Sequence, residues 1–420
     1  MRDVQVFGLL LGLQAPWRVA RVVVSGQTEV VDVFVEHAPG ARFACPTCGR
    51  ECAVYDHTRE RAWRHLDTMQ FQTIVHASPP RVRCPEHGTK QVSVPWAEDR
   101  VRFTALWERR AIDVCDSCST AEAAKLMHAS WDEMAGVQNR AVERGLARRG
   151  DVLPAQVGVD EKRPGKGQRF FTVVSDLSSK CVVWVGDGRN AESLNGYWDR
   201  FTATQREQVK CIGMDMSAAY ASSTRSRIPE ADTKIVYDRF HVMQLANKAV
   251  DQVRRDENTA LMREGNETLK GTRYVFLYAE ENVPEKYAAR LAELRRSDLR
   301  TARAWGLKEH LRRLWDCNTR EEGKRFLTNI RRALRRTNLA PLRKLGATLG
   351  EHARNILTYL QHRITNAAAE GLNAAIQRLK TTARGYRNRE HFKTAIYFHL
   401  AGLDLYPALA TAPPAHTDAG

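Results

Sequence analysis

Two short cysteine motifs constrain the fold of this chain more than any other feature of its sequence. Cys45-Pro-Thr-Cys48-Gly and Cys84-Pro-Glu-His87-Gly share the form Cys-Pro-x-(Cys or His)-Gly. Zinc prefers four tetrahedral thiolate or imidazole ligands, and the two-residue spacing lets both side chains of one turn reach the same ion while the glycine relaxes the backbone. The motifs therefore predict a zinc ribbon with one structural Zn²⁺ on Cys45, Cys48, Cys84 and His87. The alternative is ordinary buried cysteines beside an unrelated histidine, and Cys52 could replace one ligand.

The charge and the cysteine content limit the classes of protein to which this chain can belong. The chain has 65 Lys and Arg against 49 Asp and Glu among 420 residues, a net charge of +16, which favours a polyanionic partner such as nucleic acid. Nine cysteines, several at two-residue spacing, favour metal ligation in a reducing compartment over disulfides. Cys115 and Cys118 have the same spacing but no second motif, and a thiol pair in a small helical core is the favoured interpretation. The apolar run Val6–Leu13 is about half a membrane span, so we expect a soluble, cytoplasmic protein that is nucleoid-associated when bound to DNA.

Hydrophobic periodicity predicts a multidomain α+β protein. Alternating β-rich runs, a helical stretch, an α/β region with a mixed sheet and a long all-helical region follow one another along the chain. Residues 251–350 alone carry 23 basic and 14 acidic side chains. The predicted segments are an N-terminal β-hairpin region (1–40), the zinc ribbon (41–98), a helix-turn-helix domain (99–150), the first part of an α/β core (151–242), a helical insertion (243–355), the C-terminal core helices (356–405) and a disordered tail (406–420).

Two Ser-x-x-Glu motifs predict the helix-turn-helix. The motifs Ser119–Glu122 and Ser130–Glu133 each have the pattern of a capping box, and they lie eleven residues apart, as expected for a short helix, a tight turn and a second helix. The second helix carries Arg140 and Arg144, residue types that contact DNA from a recognition helix. A purely structural helical bundle is the alternative.

Three carboxylates form a candidate catalytic centre. Asp160 ends the run Val157–Val159, and Asp215 ends Cys211–Met214, so both stand at predicted strand ends. Glu370 lies on a predicted helix, on a polar face with Asn373 and opposite an apolar stripe that would dock on the sheet. Oxygen ligands from two Asp and one Glu suit Mg²⁺, and two such ions support in-line phosphoryl transfer. Each carboxylate taken alone could equally be a solvated acid.

Two basic clusters are candidate DNA contacts. Arg384, Tyr386 and Arg387 interleave basic and aromatic side chains after the Glu370 helix, as a contact to the DNA backbone would. Arg163 and Lys166 lie at a predicted hairpin tip. The alternative for these residues is a solvated, charged turn.

Several motifs together resemble one known family. They are the ribbon Cys45 to His87, Val159-Asp160-Glu161, Met214-Asp215-Met216-Ser217, Tyr237-Asp238-Arg239-Phe240-His241-Val242, and the stretch from Thr365 through Glu370 to Asn388. In these motifs the chain resembles bacterial insertion-sequence transposases of the ISL-three family, which have an RNase H-like Asp-Asp-Glu catalytic domain. The resemblance implies that Asp160, Asp215 and Glu370 are the metal ligands, that Asp238 and His241 lie near the active site, and that the helical region is an insertion in the RNase H-like core.

Residues and resemblance together predict a DNA transposase. The ribbon and the helix-turn-helix would bind the terminal inverted repeats, and the catalytic centre, with two Mg²⁺ or Mn²⁺, would cleave a strand and transfer it into target DNA. Because two ends must be joined, we expect a homodimer or a higher synaptic assembly on double-stranded DNA. The alternatives are a non-enzymatic DNA-binding regulator derived from a transposase, and a metal-dependent nuclease without strand transfer.

Overall fold

A computed structural model describes residues 3–165, 167, 169–364 and 367–409. The chain divides into two compact units, residues 1–150 with 397–420 and residues 151–396. Each unit is described by itself below. In the ranges just given, no helix combines the length and the apolar character that crossing a bilayer demands.

The first unit begins with a short helix and two four-stranded sheets. The helix α1 spans Asp3–Leu10, and the sheet orders are β1-β2-β6-β5 and β3-β4-β7-β8. The strands are β1 (Trp17–Ser25), β2 (Val30–His37), β3 (Arg42–Ala44), β4 (Glu51–His57), β5 (Arg61–Thr68), β6 (Phe71–Ala77), β7 (Pro80–Cys84) and β8 (Gly88–Gln91).

The predicted N-terminal hairpin is confirmed. The strands β1 and β2 pair antiparallel with Val24 opposite Val31, and alternate side chains of β2 point into the core because successive residues of a strand face opposite sides. The parallel pairing of β2 with β6 was not foreseen. It buries Val33, Trp63 and Val75 completely.

Three helices complete the first unit's N-terminal part. They are α2 (Ala105–Ser117), α3 (Thr120–Leu126) and α4 (Trp131–Arg149). Both predicted capping boxes are present: Ser119 caps α3 with Glu122, and Ser130 caps α4 with Glu133. Each box satisfies two backbone N–H groups that a helix start leaves unpaired, which is why the chain stops and restarts its helix at these serines. Cys115 is buried in this core, and burial raises the pKa of its thiol to about 12, as expected for a packing role.

The second unit is built on a mixed five-stranded sheet of order β11-β10-β9-β12-β13. The strands are β9 (Gln156–Lys162), β10 (Phe171–Asp176), β11 (Cys181–Asp187), β12 (Cys211–Met214) and β13 (Ile235–Tyr237). The three antiparallel strands β9, β10 and β11 and the two later strands confirm the α/β prediction. Between these strands lie α5 (Ala191–Trp198), α6 (Ala203–Glu207), α7 (Ala218–Arg227) and α8 (Ala231–Lys234).

Every secondary-structure element assigned after β13 in the described chain is a helix. These helices are α9 (Arg239–Arg263), α10 (Arg273–Leu277), α11 (Glu285–Arg296), α12 (Arg300–Arg312), α13 (Arg320–Arg336), α14 (Ala340–Glu351), α15 (Ala353–His362), α16 (Ala367–Thr382) and α17 (Arg389–Leu400), with 3-10 turns at Glu280–Asn282 and Arg313–Asp316. One continuous hydrophobic core joins the sheet, through Val157 and Ile212, to helices as distant in sequence as α15, through Ile356. This packing fixes the sheet edge at which β9, β12 and β13 end.

Candidate functional site

The four predicted zinc ligands come together. One ligand atom from each of Cys45, Cys48, Cys84 and His87 lies within 4.8 Å of the others, the only such group of three or more His, Cys, Asp or Glu found in the described residues. The Sγ atoms of Cys48 and Cys84 are 3.6 Å apart, and Cys84 Sγ is 3.6 Å from Nδ1 of His87. The hydrogen bond with His87 lowers the pKa of Cys84 to about 6, which favours the thiolate that a metal binds. This donor set fits a zinc ion.

Two tight turns position these ligands. One turn lies between β3 and β4, where the Gly49 amide donates to the Cys45 carbonyl at 2.8 Å, and the other joins β7 to β8. Gly49 and Gly88 have φ values of 74° and 66°, a region that a side chain disfavours. Both motifs therefore need the glycine that follows the second ligand. Cys52 is buried nearby on β4 and donates to the Arg50 carbonyl at 3.5 Å.

Three aspartates of the second unit lie along one edge of the sheet. Asp160 stands two residues before the end of β9, not at its end as expected, and Asp215 and Asp238 directly follow β12 and β13. The strands β9, β12 and β13 are adjacent and parallel, so their carboxyl ends lie on the same side. Gly158 is opposite Gly213, which brings Asp160 level with Asp215 two residues further on, and Met214 is opposite Tyr237, which brings Asp215 level with Asp238. Adjacent strands are about 4.8 Å apart. The three carboxylates line one cavity of about 60 Å³.

The negative charge of the three aspartates in this cavity is partly balanced by neighbouring basic groups. Burial raises the pKa of Asp215, and the charges of Asp160 and Asp238 raise it further, while His241 and the Ser217 amide lower it. The Lys162 ammonium lies 2.7 Å from Oδ2 of Asp160 and forms an ion pair with it. Sequence analysis missed this lysine, although its position two residues after Asp160 on β9 places it on the same face of the strand.

Asp238 has two roles in the structure, as a helix cap and as an acid that lines the aspartate cavity. Asp238 is the N-cap of α9, because its Oδ1 accepts from the Phe240 amide at 2.6 Å. Its Oδ2 lies 3.3 Å from Nδ1 of His241, and this contact raises the pKa of His241. Both residues line the aspartate cavity. A helix cap and a cavity acid are thus the same residue.

Glu370 does not line the cavity that the three aspartates line. It is exposed and lines a different cavity of about 900 Å³ in the second unit, next to Arg239 and Phe240 of α9. Leu372, Asn373 and Ile376 of the same helix line the aspartate cavity instead. At about 100° per residue Asn373 points only about 60° from Ile376, whereas Glu370 points about 120° from it. The structure thus brings Asn373 to the aspartates and leaves Glu370 on the adjoining face of α16.

The donor set at the sheet edge fits a divalent cation. Asp160, Asp215 and Asp238 offer carboxylate oxygens from three neighbouring strands, and burial is the main cause that raises the pKa of Asp215. Oxygen ligands of this kind are those that Mg²⁺ prefers.

The predicted DNA contacts on α4 are engaged in ion pairs. Arg140 donates through Nε to Oε1 of Glu108 at 2.7 Å. Arg144 donates to Oε2 of Glu98 at 2.6 Å and to Oε2 of Glu108 at 3.1 Å, and only 9% of its side chain is exposed. These bonds tie α4 to α2 and account for both arginines by packing within the first unit. A DNA contact by either residue stays a prediction.

A segment after α17 supplies further partners to the same helix. Arg144 Nη1 donates to the Leu405 carbonyl at 2.5 Å, and Arg148 Nη1 donates to the Tyr406 carbonyl at 2.7 Å. The hydroxyl of Tyr406 donates to Asp113 of α2 at 2.7 Å. Residues 401–409 therefore form part of the first unit's packing, although sequence analysis divided them between the core helices and a disordered tail. Residues 410–420 lie outside the described part.

The remaining predicted DNA contacts lie in turns of the second unit. Arg163 is exposed, and its guanidinium lies 4.2 Å from the ring centre of Phe170. Arg384 and Arg387 are exposed between α16 and α17, whereas Tyr386 packs its ring 5.0 Å from that of Phe392, and burial raises its pKa to about 12. Lys166 lies outside the described residues.

Comparison with known proteins gives one consistent result. Residues 157–396 match a transposase family, ISL3, residues 41–87 match the zinc finger of the transposases IS204/IS1001/IS1096/IS1165, and residues 92–142 match the helix-turn-helix domain of transposase family ISL3. The chain is 28% identical over 444 residues to a transposase for insertion sequence element IS1557 of Mycobacterium tuberculosis, with 96% of each chain covered. It is 25% identical over 353 residues to a transposase for IS1001 of Bordetella parapertussis, covering 83% of this chain and 86% of the other.

Proposed function

Because this chain belongs to the ISL3 family of transposases, we propose that it cleaves the ends of an insertion sequence and transfers them into target DNA through Asp160 on β9 and Asp215 directly after β12. The observation that carries the proposal is the register of β9, β12 and β13. It puts Asp160, Asp215 and Asp238 level at one sheet edge, inside the region that matches the family. We also infer that these strands with α16 form an RNase H-like core, interrupted by the helices α9 to α15 as an insertion.

In this proposal Asp160 and Asp215 would hold the divalent cations, Mg²⁺ or Mn²⁺. Bound divalent cations supply the charge that activates an attacking oxygen and stabilises a leaving oxygen in in-line phosphoryl transfer. Glu370 on α16 is the third ligand proposed from the family resemblance. Asp238 is the alternative, since it lies level with Asp215 and lines the same cavity.

The neighbouring side chains prepare this edge for a phosphodiester. The contact with Asp238 raises the pKa of His241 and so favours its protonated form, and this imidazole would orient a phosphate oxygen. Lys162 balances Asp160 through its ion pair. Leu372 and Ile376 form the apolar wall of the cavity and exclude water from one side. Positioning and fixed charge of this kind supply catalysis without a covalent protein intermediate.

The ribbon and the helical domain of the first unit are proposed to read the terminal inverted repeats. One Zn²⁺ on Cys45, Cys48, Cys84 and His87 would hold the two turns of the ribbon together, a role that the convergence of the four ligand atoms supports. Because two ends must be joined, a dimer or larger assembly on the two repeats is part of the proposal.

The decisive experiment uses a labelled repeat end, a target plasmid and Mg²⁺ or Mn²⁺. Asp160→Asn and Asp215→Asn should each lower cleavage and strand transfer by at least about 100-fold, since even residues behind a metal ligand often cost 10- to 100-fold. Repeat binding should persist in both variants. The matched control is Asp176→Asn, because Asp176 also ends a strand of this sheet but bonds the Ser178 amide outside the cavity.

Glu370→Gln and Asp238→Asn decide the third ligand in the same assay. Loss of cleavage and strand transfer in Glu370→Gln, when the wild-type chain forms joined products, supports the Asp-Asp-Glu assignment. Full activity in Glu370→Gln, together with loss of activity in Asp238→Asn, would identify Asp238 as the third ligand. Specific binding with no cleavage by any form would favour the DNA-binding regulator, and nicks without joined products would favour the nuclease.

A further inference from the structure

The helix α13 carries a row of basic side chains with no acidic partner. The α13 basic face is defined by Lys324, Arg325, Arg332, Arg335 and Arg336, all exposed. Across the described chain, none of the five side chains forms an ion pair or a hydrogen bond, whereas the two acids of the helix lie in its first turn. From residue 320 to 344 the sequence has nine basic and two acidic residues. The face is therefore a concentrated, uncompensated positive charge.

Helical geometry gathers these cations on one side. At about 100° per residue the five side chains span an arc of about 120°, roughly opposite the buried Leu327, Ile330 and Leu334. From Lys324 to Arg336 the helix rises about 18 Å, the length of about five nucleotides of one DNA strand. Within the arc lie two other side chains, Glu321 in the first turn and Thr328, whose hydroxyl donates to the Lys324 carbonyl at 2.8 Å.

Several other cations of the helical region have acidic partners. Arg254 and Arg255 of α9 both pair with Asp251, at 2.9 and 2.7 Å. Arg312 of α12 donates to Glu309 at 2.7 Å. Like charges four residues apart, such as Arg332 and Arg336, destabilise a helix unless an anion lies beside them. The α13 basic face thus differs from its surroundings because five cations without an acidic partner among the described residues lie on one side of a single helix, and it fits a polyanion.

We propose that the α13 basic face binds the phosphate backbone of target DNA without regard to sequence. The inference rests on the proposed transposase function, which supplies a target duplex. Lysine and arginine at phosphates position a duplex, whereas sequence is read by groups at base edges. A terminal repeat has one defined sequence, but a target duplex varies, so a face of point charges suits the target. The next helix, α14, adds the exposed Arg343 and Lys344.

The test is equilibrium binding of the full-length, zinc-loaded chain to a duplex of random sequence across a range of salt concentrations. The variant is Arg325→Gln/Arg332→Gln/Arg336→Gln. The matched control removes three exposed, unpaired cations scattered over α9 and α11, as Lys248→Gln/Arg263→Gln/Arg296→Gln. Circular dichroism and a thermal melt establish that both variants fold.

The variant should lower the slope of log affinity against log salt by about 2.7 and weaken binding by roughly 100-fold near 0.1 M salt, because each lost phosphate contact contributes about 0.9 to the slope. The control should keep the slope within about one unit. Arg325→Lys/Arg332→Lys/Arg336→Lys should restore binding, since lysine also serves a phosphate as a point charge. An unchanged slope in the glutamine variant, an equal loss in the control, or no restoration by lysine would overturn the proposal.

A duplex carrying the terminal repeat separates the two DNA sources. Its specific binding should fall much less than that of the random duplex, and an equal loss on both would overturn the assignment to target DNA. The readout needs no cleavage. A wild-type chain that binds random DNA through α13 but never cleaves a repeat end would refute the proposed activity while leaving the phosphate contact established.

Discussion

Replacing Glu108 by alanine should loosen the helical part of the first unit. Only 2% of the Glu108 side chain is exposed, and its two carboxylate oxygens accept from Arg140 Nε at 2.7 Å and Arg144 Nη2 at 3.1 Å. In Glu108→Ala both guanidinium groups lose that acceptor. Arg144 keeps Glu98 through two hydrogen bonds of 2.9 and 2.6 Å. The charge that Glu108→Ala leaves without an acidic partner is therefore mainly that of Arg140.

The magnitude follows from how deeply each partner is buried. Removing one member of a buried ion pair typically costs about 3–5 kcal/mol, because the other charge is left without compensation. Since Arg140 is 30% exposed, water replaces part of what it loses. We therefore expect the low end, about 3 kcal/mol, which corresponds to about a 100-fold increase in the opening of α2 and α4.

Hydrogen exchange of the full-length chain, read by mass spectrometry, measures this opening locally. Amide protection in α2 and α4 should fall about 100-fold in Glu108→Ala, while protection of β12 and β13 in the second unit stays the same. Glu143→Ala is the matched control, since Glu143 is an exposed glutamate on α4 that pairs with none of the residues described. Unchanged protection of α2 and α4 in Glu108→Ala would refute the argument that these arginines stabilise the fold.

Three further outcomes test other parts of the first unit. Cys48→Ser should lower bound zinc from about one ion per chain, measured by atomic absorption after purification, whereas Cys118→Ser should keep it, because only Cys48 lies in the ligand cluster. Burial lowers the pKa of His65 from 6.5 to about 4, so the folded form resists a proton that the unfolded chain accepts. Stability in urea should fall as the pH drops from 6.5 towards 4, and it should fall less in His65→Asn; equal acid sensitivity of the two proteins would contradict the sign. In Gly145→Ala the new Cβ would lie 2.7 Å from Cβ of Leu403, so limited proteolysis should cut residues 401–409 faster. In Gly136→Ala the nearest atom is Nη1 of Arg140, at 3.3 Å and away from residues 401–409, so the rate should not change.

Much of the zinc site could be predicted from the sequence because its information is local. The spacing of Cys45 and Cys48, and of Cys84 and His87, fixes which side chains of a turn point together. The glycine after each pair indicates the positive φ that such a turn needs. The capping boxes at Ser119 and Ser130 are equally local, since each connects residues only three positions apart.

The packing partners of Arg140, Arg144 and Glu370 could not be predicted in the same way. An exposed arginine that contacts DNA and an arginine paired to a buried glutamate have the same helical spacing, and Glu108 lies 32 residues before Arg140. The carbonyl groups of residues 404–406, which accept from Arg144 and Arg148, are more than 250 residues away from these arginines in sequence. Which side of α16 meets the sheet likewise depends on packing. Glu370 and Asn373 share a polar face in the sequence pattern, and only the tertiary structure places them in different cavities.

The sequence by itself determined the local groupings: the two pairs of zinc ligands, an aspartate after each of two apolar runs (Asp160 and Asp215), and the basic excess of the helical region. It could do so because short spacing and charge are properties of the chain. Only the tertiary structure decided which of these groups meet. The parallel register of β9, β12 and β13 joined Asp238 to the other two aspartates, and burial beside them raised the pKa of Asp215. Register and burial arise from contacts between distant segments, and no spacing within a single segment encodes them.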